Sequence, residues 1–305
     1  MISILLAVYN NGAHLKTLID SILAQSCADF RLYIRDDCSS DDSFAIASGY
    51  TDPRVSAVRS DAPSGSACNN FFRLLLEHED DYLMFADADD FWLPDKVEKT
   101  LAKMKELEKS QGKECPILVH TDLSVADGEL KVTAPSLFRY EKLSPERNSL
   151  RELLAQNNVT GCTVMINRAL RALIAEKPAG AVMHDWWAAL VAAAFGKIGV
   201  LYEPTILYRQ HGGNSVGAYN AADPMLAAKK LANTARTRAI YDAMFAQAAC
   251  FAQTYKNRLT PQQYALCAAY GAMGQKGKFG RLATVFRYGF YKNTLVRNLG
   301  QLIAI

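Results

Sequence analysis

The chain has 305 residues, half of them apolar, so it can bury one substantial core with a smaller appendage. Its 34 Lys and Arg nearly balance 31 Asp and Glu, and its seven cysteines are never spaced as a zinc or redox pair, which favours a reducing compartment. No apolar run is long enough to span a bilayer. We expect a cytoplasmic protein, at most peripheral to a membrane.

The first half of the chain alternates strand and helix patterns. An apolar strand over residues 2–8 leads into a turn, which distinguishes it from a signal peptide. Further strands are predicted over 30–34, 55–58, 82–86, 117–119 and 160–167, and helices over 14–25, 44–50, 67–77, 94–107, 150–156, 169–175 and 188–195. This alternation predicts an α/β fold with a Rossmann-like, mostly parallel sheet and helices on both faces.

Beyond residue 215 the pattern changes to Ala-rich helices, predicted over 221–251 and 261–272. We place a boundary near residues 215–219. The chain is thereby divided into a first domain over residues 1–217 and a helical C-terminal region over residues 218–305.

An apolar strand ends abruptly in three carboxylates, Asp87, Asp89 and Asp90. Carboxylates this close raise each other's pKa, so the arrangement is stable at low cost only if a positive group neutralises it. Mg²⁺ accepts one or two carboxylates and fills its other positions with water and substrate phosphates. The alternative is a solvated turn, since Asp is common where strands end. Spacing alone leaves both interpretations open.

Polar residues also follow the first two strands, namely Tyr9 and Asn10, then Asp36 and Asp37. In parallel sheets, ligands bind at the C-terminal ends of the strands, where the chain reverses its winding. Together with the acid cluster, these residues predict a nucleotide pocket with a metal beside it.

Asp185 stands between His184 and two tryptophans, Trp186 and Trp187, just ahead of an apolar helix. It could be an N-cap that accepts the first free backbone NH groups. Aromatic walls beside a carboxylate can also hold sugar hydroxyls and raise the pKa of a general base. Both roles can coexist.

Residues 207–215 combine Arg209 and His211 with two glycines. A histidine before a flexible Gly-Gly loop suits a metal or phosphate ligand, and Arg209 could contact a diphosphate. The alternative is a solvent-exposed turn.

In their order, the segments 7–10, 35–41, 87–90, 184–185 and 209–215 resemble the family 2 glycosyltransferases with the A-type fold. The combination of 184–187 with 208–215 is similar to the bacterial rhamnosyltransferase branch. The resemblance covers residues 1–217 and implies that this domain is catalytic and binds a nucleotide sugar. It also favours the metal interpretation of the acid cluster.

The resemblance implies a role for each matching position. Asp185 would be the general base, and Asp89 and His211 would bind Mg²⁺ or Mn²⁺. Residues implied to bind the donor nucleotide are Ala7, Tyr9, Asn10, Asp36, Asp37, Asp87, Ala88 and Arg209. Residues expected to contact the acceptor are Asp90, Trp92, His184, Trp186 and Trp187.

Two positions depart from the family pattern. His184 stands where many members have Glu, and it could shift the pKa of the neighbouring base. Cys38 replaces a more usual Gly in the second motif.

These features together predict an inverting transferase. Asp185 would take the proton of an acceptor hydroxyl that attacks the anomeric carbon in line. The resemblance favours dTDP-β-L-rhamnose as donor and a glycan or polyprenyl-diphosphate-linked acceptor. Alternatives are a UDP-hexose donor, or a non-catalytic carbohydrate-binding scaffold. A nucleotidyltransferase would need a Gly-rich basic loop after the first strand, and a nucleic-acid binder would leave the acid cluster unexplained.

After Asp242 the chain contains no acid but eight Lys and Arg. Phe279, Leu282, Phe286 and Phe290 are predicted to share one face of a basic amphipathic helix over residues 280–292. Such a helix can lie on an anionic membrane, which would place the protein at the inner face of the plasma membrane. The alternative is a helix packed on the catalytic domain.

Overall fold

The computed structural model describes residues 1–212, 217–220 and 234–305. The described strands are β1 Ile2–Val8, β2 Phe30–Asp36, β3 Val55–Arg59, β4 Tyr82–Asp87, β5 Phe91–Trp92, β6 Ile117–Ala126, β7 Val132–Ala134, β8 Met165–Asn167 and β9 Lys197–Arg209. The described helices are α1 Gly12–Leu23, α2 Ser43–Ser48, α3 Ala67–Glu77, α4 Lys96–Gln111, α5 Leu137–Tyr140, α6 Leu150–Ala155, α7 Arg168–Ala172, α8 His184–Phe195, α9 Thr234–Thr254, α10 Pro261–Gly271, α11 Lys278–Tyr288 and α12 Leu295–Ala304. Short 3₁₀ turns lie at Gly161–Thr163 and Ala272–Gln275.

The strands form one sheet in the order β3-β2-β1-β4-β8-β6-β9-β5, with β7 paired to β6. The first four strands are parallel, as predicted, and the ends of β1, β2 and β4 are aligned with one another. Val8 pairs with Asp36, and Ala7 pairs with Asp87. The carboxyl ends of β1, β2 and β4 therefore meet at one edge of the sheet, which positions the predicted site.

The second half of the sheet is mixed, which corrects the prediction of a mostly parallel sheet. Strand β8 runs antiparallel to both β4 and β6, whereas β9 is parallel to β6. The long strand β9 escaped prediction because its sequence, with Gly199, Glu203 and Pro204 inside it, lacks a clean apolar alternation. The predicted strand over 160–167 is largely wrong, since a 3₁₀ turn precedes β8.

Helices cover both faces of the sheet, as predicted. Side chains of β1 alternate between the two cores: Ile4 and Leu6 contact the layer that contains α1, whereas Leu5 contacts the layer that contains α3 and α8. The A-type α/β architecture thus follows from buried, continuously apolar strands with helices on either side.

The C-terminal helices pack on the α3–α8 face and share its core. Phe245, Phe251 and Phe290 are buried there together with Phe72 and Trp187. The predicted boundary at 217/218 adjoins residues 213–216 and 221–233, which lie outside the described chain, and so does the first part of the predicted helix over 221–251. In the described ranges, no helix is long and apolar enough to cross a membrane.

The predicted apolar face over 280–292 is partly wrong. Phe279 and Phe286 are exposed, but Phe290 is fully buried and Leu282 packs against the core. Arg281, one of the eight Lys and Arg after Asp242, is also buried, and its guanidinium donates to the backbone carbonyls of Lys276 and Gly274. A helix of this length buries one face on the core, and the buried face of α11 contains Arg281, Leu282 and Val285.

Candidate active site

The three carboxylates after β4 do gather at the edge of the sheet. Burial, followed by the charges of Asp89 and Asp185, raises the pKa of Asp87 to about 7. Burial together with the charges of Asp87 and Asp89 raises the pKa of Asp90 well above its usual range. Strand geometry therefore holds these groups against their mutual repulsion, which is the arrangement that a cation would stabilise.

Arg209, at the end of β9, supports residues 87–90, here called the acid loop, from the protein interior. Its side chain is 5% exposed, its Nε donates to the Asp89 carbonyl at 2.8 Å, and its Nη1 donates to the Gly128 carbonyl. Its backbone NH donates to Asp90 Oδ1 at 3.4 Å. In this structure Arg209 shapes the loop, and its predicted contact with a donor diphosphate stays a prediction.

His211 and Asp89 come together as predicted, although they are 122 positions apart in the chain. His211 Nε2 lies 2.9 Å from Asp89 Oδ2, and both side chains keep some exposure. An imidazole and a carboxylate at one point suit Mg²⁺ or Mn²⁺. Residues 213–215 of the same predicted segment lie outside the described chain.

A second group of ligand atoms lies deeper. Carboxylate oxygens of Asp87 and Asp90 and the Cys162 sulfur are within 4.8 Å of one another. Burial, with the charges of Asp90 and Asp87, raises the pKa of the Cys162 thiol well above its usual range, so that it stays protonated. A protonated, buried thiol is a poor ligand for a hard ion, and Asp89 with His211 is the better fit.

The predicted nucleotide side of the site is a cradle built from the ends of β1 and β2. Asn10 links the two, because its NH donates to Ser39 Oγ at 2.9 Å and its side chain accepts from the Ser40 NH at 2.8 Å. Asp37 accepts two bonds from Ser64, from its NH at 2.7 Å and its hydroxyl at 2.6 Å. This network leaves the ring of Tyr9 exposed at the mouth of the cradle.

The remaining predicted nucleotide ligands lie along the same edge. Asp36 is buried, and its Oδ2 accepts from the Ser39 NH at 3.0 Å. Ala7 is partly buried at the end of β1, and Ala88 is buried within the acid loop. Donor contacts at these residues stay predictions.

Cys38 has a positive φ of 62°, in the left-handed region that favours glycine. This explains why glycine is the more usual residue at this position of the motif. Here the strained turn is stabilised locally, since Cys38 Sγ donates to the Ser60 carbonyl at 3.1 Å.

Asp185 lies in the first turn of α8, whose N-cap is Met183, so the interpretation of Asp185 as the capping residue is wrong. Its Oδ1 nevertheless accepts the Trp186 NH at 2.7 Å, and Asn157 Nδ2 donates to its Oδ2 at 3.2 Å. Burial outweighs these bonds and raises the pKa of Asp185 to about 6. A carboxyl with this pKa can take and release a proton near neutral pH.

His184 is buried against aromatic rings instead of facing a substrate. Its ring stacks on Phe71 with centroids 3.9 Å apart and meets the edge of Phe85 at 4.6 Å. Burial lowers its pKa to about 3, so the imidazole is neutral and adds no charge beside Asp185. Gly161 permits this packing, because a Cβ there would lie 3.2 Å from His184 Nε2.

Four of the five residues predicted to contact the acceptor are buried in this structure, which argues against direct contact. Trp92 and Trp187 have no exposed surface and His184 has almost none, so they belong to the core. Asp90, within the acid cluster, is likewise fully buried. Trp186 keeps partial exposure while its indole NH donates to the Leu153 carbonyl at 2.7 Å, and its acceptor contact stays a prediction.

Three residues near the site escaped the sequence analysis. Asn157 orients Asp185, and a pair of asparagines just after a helix was the available signal. The ring of His14 lies 4.8 Å from that of His211. Lys96 lies under the acid cluster, fully buried over the Trp92 ring at 4.6 Å, and its Nζ has no hydrogen-bond partner among the described residues.

Replacement of His184 by Phe is expected to protect the protein from acid. Because the folded pKa of His184 is about 3 and its unfolded value 6.5, the unfolded state binds the proton first, and the free energy of unfolding falls as the pH drops below 6.5. At pH 5 this term costs roughly 2 kcal/mol, which His184→Phe removes while keeping the stacked ring. Urea unfolding from pH 7.5 to 4.5 tests this, and parallel loss of stability in both proteins would contradict it.

Replacement of Lys96 by Met should change stability in the opposite pH range. Burial lowers the Lys96 pKa from 10.5 to about 8, so the free energy of unfolding of the wild type rises between pH 8 and 10.5 by roughly 3 kcal/mol. Met fills the same space without a charge, and the advantage of Lys96→Met should therefore shrink across this window. Urea titrations at pH 7.5, 9 and 10 measure the difference, with exposed Lys105→Met as control. A constant difference would show that Lys96 does not titrate there.

Comparison with known proteins agrees with this geometry. The profile of Glycosyl transferase family 2 matches residues 3–173, more than half of the chain. The dTDP-rhamnosyl transferase RfbG of Shigella flexneri is 26% identical over 230 residues, which cover 70% of this chain and 74% of that protein.

Solved structures show the same fold. S. aureus TarS 1–349 in complex with UDP-GlcNAc superposes with a TM-score of 0.57 at 13% identity, over 99% of this chain and 90% of that one. The mannosyltransferase PcManGT from Pyrobaculum calidifontis, in complex with GDP-Man and Mn²⁺, gives 0.52 at 15% identity, over 99% and 84%. The chain has the A-type glycosyltransferase fold, and it belongs to glycosyltransferase family 2.

Proposed function

We propose that the protein is an inverting glycosyltransferase that moves L-rhamnose from dTDP-β-L-rhamnose to a hydroxyl of a lipid-linked precursor of a surface polysaccharide. The observation that carries the reaction is Asp185, a buried carboxyl whose pKa of about 6 suits a general base and whose charge acts on Asp87 in the acid loop. Similarity to the Shigella rhamnosyl transferase supports the choice of sugar.

In the proposed reaction, Asp185 accepts the proton of the acceptor hydroxyl while the hydroxyl oxygen attacks the anomeric carbon. The bond between that carbon and the diphosphate breaks on the opposite side, so one displacement inverts the anomeric configuration. Asn157 keeps the Asp185 carboxylate oriented through the 3.2 Å bond. The protonated Asp185 then releases its proton to solvent, which its pKa near neutrality permits.

The donor would lie across the ends of β1, β2 and β4, with its base in the cradle of Tyr9 and Asp37 and its diphosphate toward Asp89. Asp89 and His211 would hold Mg²⁺ or Mn²⁺, and such an ion supplies positive charge against which a departing diphosphate is stabilised. The Mn²⁺ in the mannosyltransferase complex supports a divalent ion in this fold. We further propose that the protein works at the cytoplasmic face of the plasma membrane, where a lipid-linked acceptor is accessible.

Calorimetric titration with dTDP, UDP and GDP, with and without Mn²⁺, tests the donor and the metal together. We expect Mn²⁺-dependent binding of dTDP that Asp89→Ala weakens at least about tenfold, because a direct metal ligand is lost. Asp95→Ala, at a carboxylate outside the acid cluster that pairs with Lys99, is the control and should bind normally.

Two other results would contradict parts of this proposal. Preference for UDP would exclude rhamnose and favour the UDP-hexose donor, in keeping with the UDP-GlcNAc bound by TarS. Absence of nucleotide binding altogether would exclude the transferase and favour a carbohydrate-binding scaffold.

Substitution of Asp185 by Asn tests the base. We expect kcat to fall by about 10²–10⁴ with dTDP binding unchanged, since positioned proton transfer contributes that much. In the wild type, kcat/KM should fall about tenfold per pH unit below pH 6, where Asp185 is protonated. The same substitution at exposed Asp242 is the matched control.

Substitution of Asn157 by Ala tests whether Asn157 acts by orienting the Asp185 carboxylate. Because the Asn157 bond favours the charged carboxylate and lowers its pKa, its loss should move the acid limb of the pH profile upward. Unchanged turnover in Asp185→Asn would remove Asp185 as the base.

A further inference from the structure

Helices α11 and α12 expose a set of large apolar side chains, here called the hairpin surface. Between 59% and 88% of each side chain is accessible. The members are Phe279, Phe286, Leu295, Val296, Leu299 and Ile303. On α12 the four residues fall within one arc of about 100°, since they follow the i, i+1, i+4, i+8 spacing of a single helical face.

These side chains are not the ones that attach the helices to the protein. Val285 on α11, Phe290 in the connector and Ile305 after α12 do that, because they are buried in the common core, while Gln301 donates to the Phe290 carbonyl at 2.8 Å. The exposed set is therefore a second apolar face beyond what folding requires. Contiguous exposed apolar surface of this kind marks an interaction site.

The two helices present this surface together. Lys278 Nζ, at the start of α11, donates to the Ile303 carbonyl near the end of α12 at 3.3 Å. At the other end, the rings of Phe286 and Tyr291 are 6.5 Å apart. The start of α11 therefore lies close to the end of α12, and the connector between the helices lies near Phe286.

Positive charge surrounds this surface. After Asp242 the sequence contains eight Lys and Arg and no acid. Lys276, Lys278 and Arg287 are exposed on or beside α11. A face with this charge matches an anionic surface and would repel a second copy of itself.

A groove of about 510 Å³ lies between α10 and α11 next to the exposed phenylalanines. Its alanine floor, including Ala268, leaves room, and Lys276 and Arg287 line it. Lys276 Nζ is held by the Thr284 hydroxyl at 2.8 Å. Two cations at the edge of a small-residue groove suit a phosphate group.

We propose that the hairpin surface docks the protein on an anionic phospholipid bilayer, with the aliphatic side chains in the interface and lipid phosphates at Lys276 and Arg287. Aliphatic residues such as Leu299 and Ile303 gain from hydrocarbon, whereas a nucleic acid would give them no partner. The occupant of this face is thus a membrane. The inference rests on the proposed function and extends it, because a lipid-linked acceptor is presented at such a surface.

The hairpin also connects to the proposed base. Its connector binds the segment that carries Asn157: Asn293 Nδ2 donates to Asn158 Oδ1 at 2.5 Å, and Asn293 NH donates to Gln156 Oε1 at 3.1 Å. Arg147 Nη2 donates to the Tyr291 carbonyl at 2.9 Å. A membrane-bound hairpin would therefore hold one wall of the active site at a fixed distance from the lipid.

Vesicle cosedimentation tests the docking. We would compare 100 nm vesicles of phosphatidylcholine with vesicles containing 30% phosphatidylglycerol, using the full chain without nucleotide. We expect binding to the anionic vesicles, at least a tenfold loss in Leu299→Ser/Ile303→Ser, and roughly fivefold per charge in Lys276→Gln/Arg287→Gln. Val132→Ser/Val182→Ser, at exposed valines elsewhere, should bind as wild type.

Several outcomes would overturn the proposal. These are absence of binding to the anionic vesicles, equal binding by wild type and Leu299→Ser/Ile303→Ser, or a concentration-dependent dimer that the same variant abolishes without any vesicle binding. Tighter binding to single-stranded RNA, unaffected by the apolar substitutions, would also overturn it. Because the assay contains no donor, vesicle binding by Asp185→Asn would persist even if the proposed reaction were wrong, and the two failures remain distinguishable.

Discussion

Mutual repulsion among Asp87, Asp89 and Asp90 is the constraint on which the rest of the site depends. At the end of β4, burial and the neighbouring carboxylates raise the pKa of Asp87 and of Asp90, and other elements hold the group together. Arg209 binds the loop backbone from behind, and Lys96 lies buried beneath. At the surface, Asp89 faces His211, where a divalent ion would complete the neutralisation.

Burial shifts the pKa values of two neighbouring residues in opposite directions. His184 and Asp185 are adjacent in sequence, and both lie out of solvent. Desolvation disfavours the charged form of each, which lowers the pKa of His184 to about 3 and raises that of Asp185 to about 6. The imidazole thus becomes a neutral packing group, while the carboxyl becomes a base suited to neutral pH. Burial of the His184 imidazole lowers stability at acid pH, because the unfolded chain binds the proton first.

The C-terminal helices are structurally coupled to the candidate active site. They share the core of the α3–α8 face, and their connector binds the segment that orients Asp185. Shared core and shared hydrogen bonds couple this region to the site mechanically. The outer face of the same helices is apolar and free of acids. These helices therefore connect the proposed membrane surface to the acceptor side of the active site.

The sequence by itself determined the parallel half of the sheet and the acid cluster, because continuous apolar strands and strand-end polar residues are local patterns. Motif order also predicted that Asp89, His211 and Asp185 belong to one site. Tertiary structure alone decided which residues around them are buried and which make contacts. The burial of His184 and Trp187, the support from Asn157 and Lys96, and the mixed order of β8 and β9 depend on contacts between distant segments. Helical periodicity predicted Phe290 on the same face as Phe286, but α11 ends at Tyr288, and packing against the core buries Phe290 while Phe286 stays exposed.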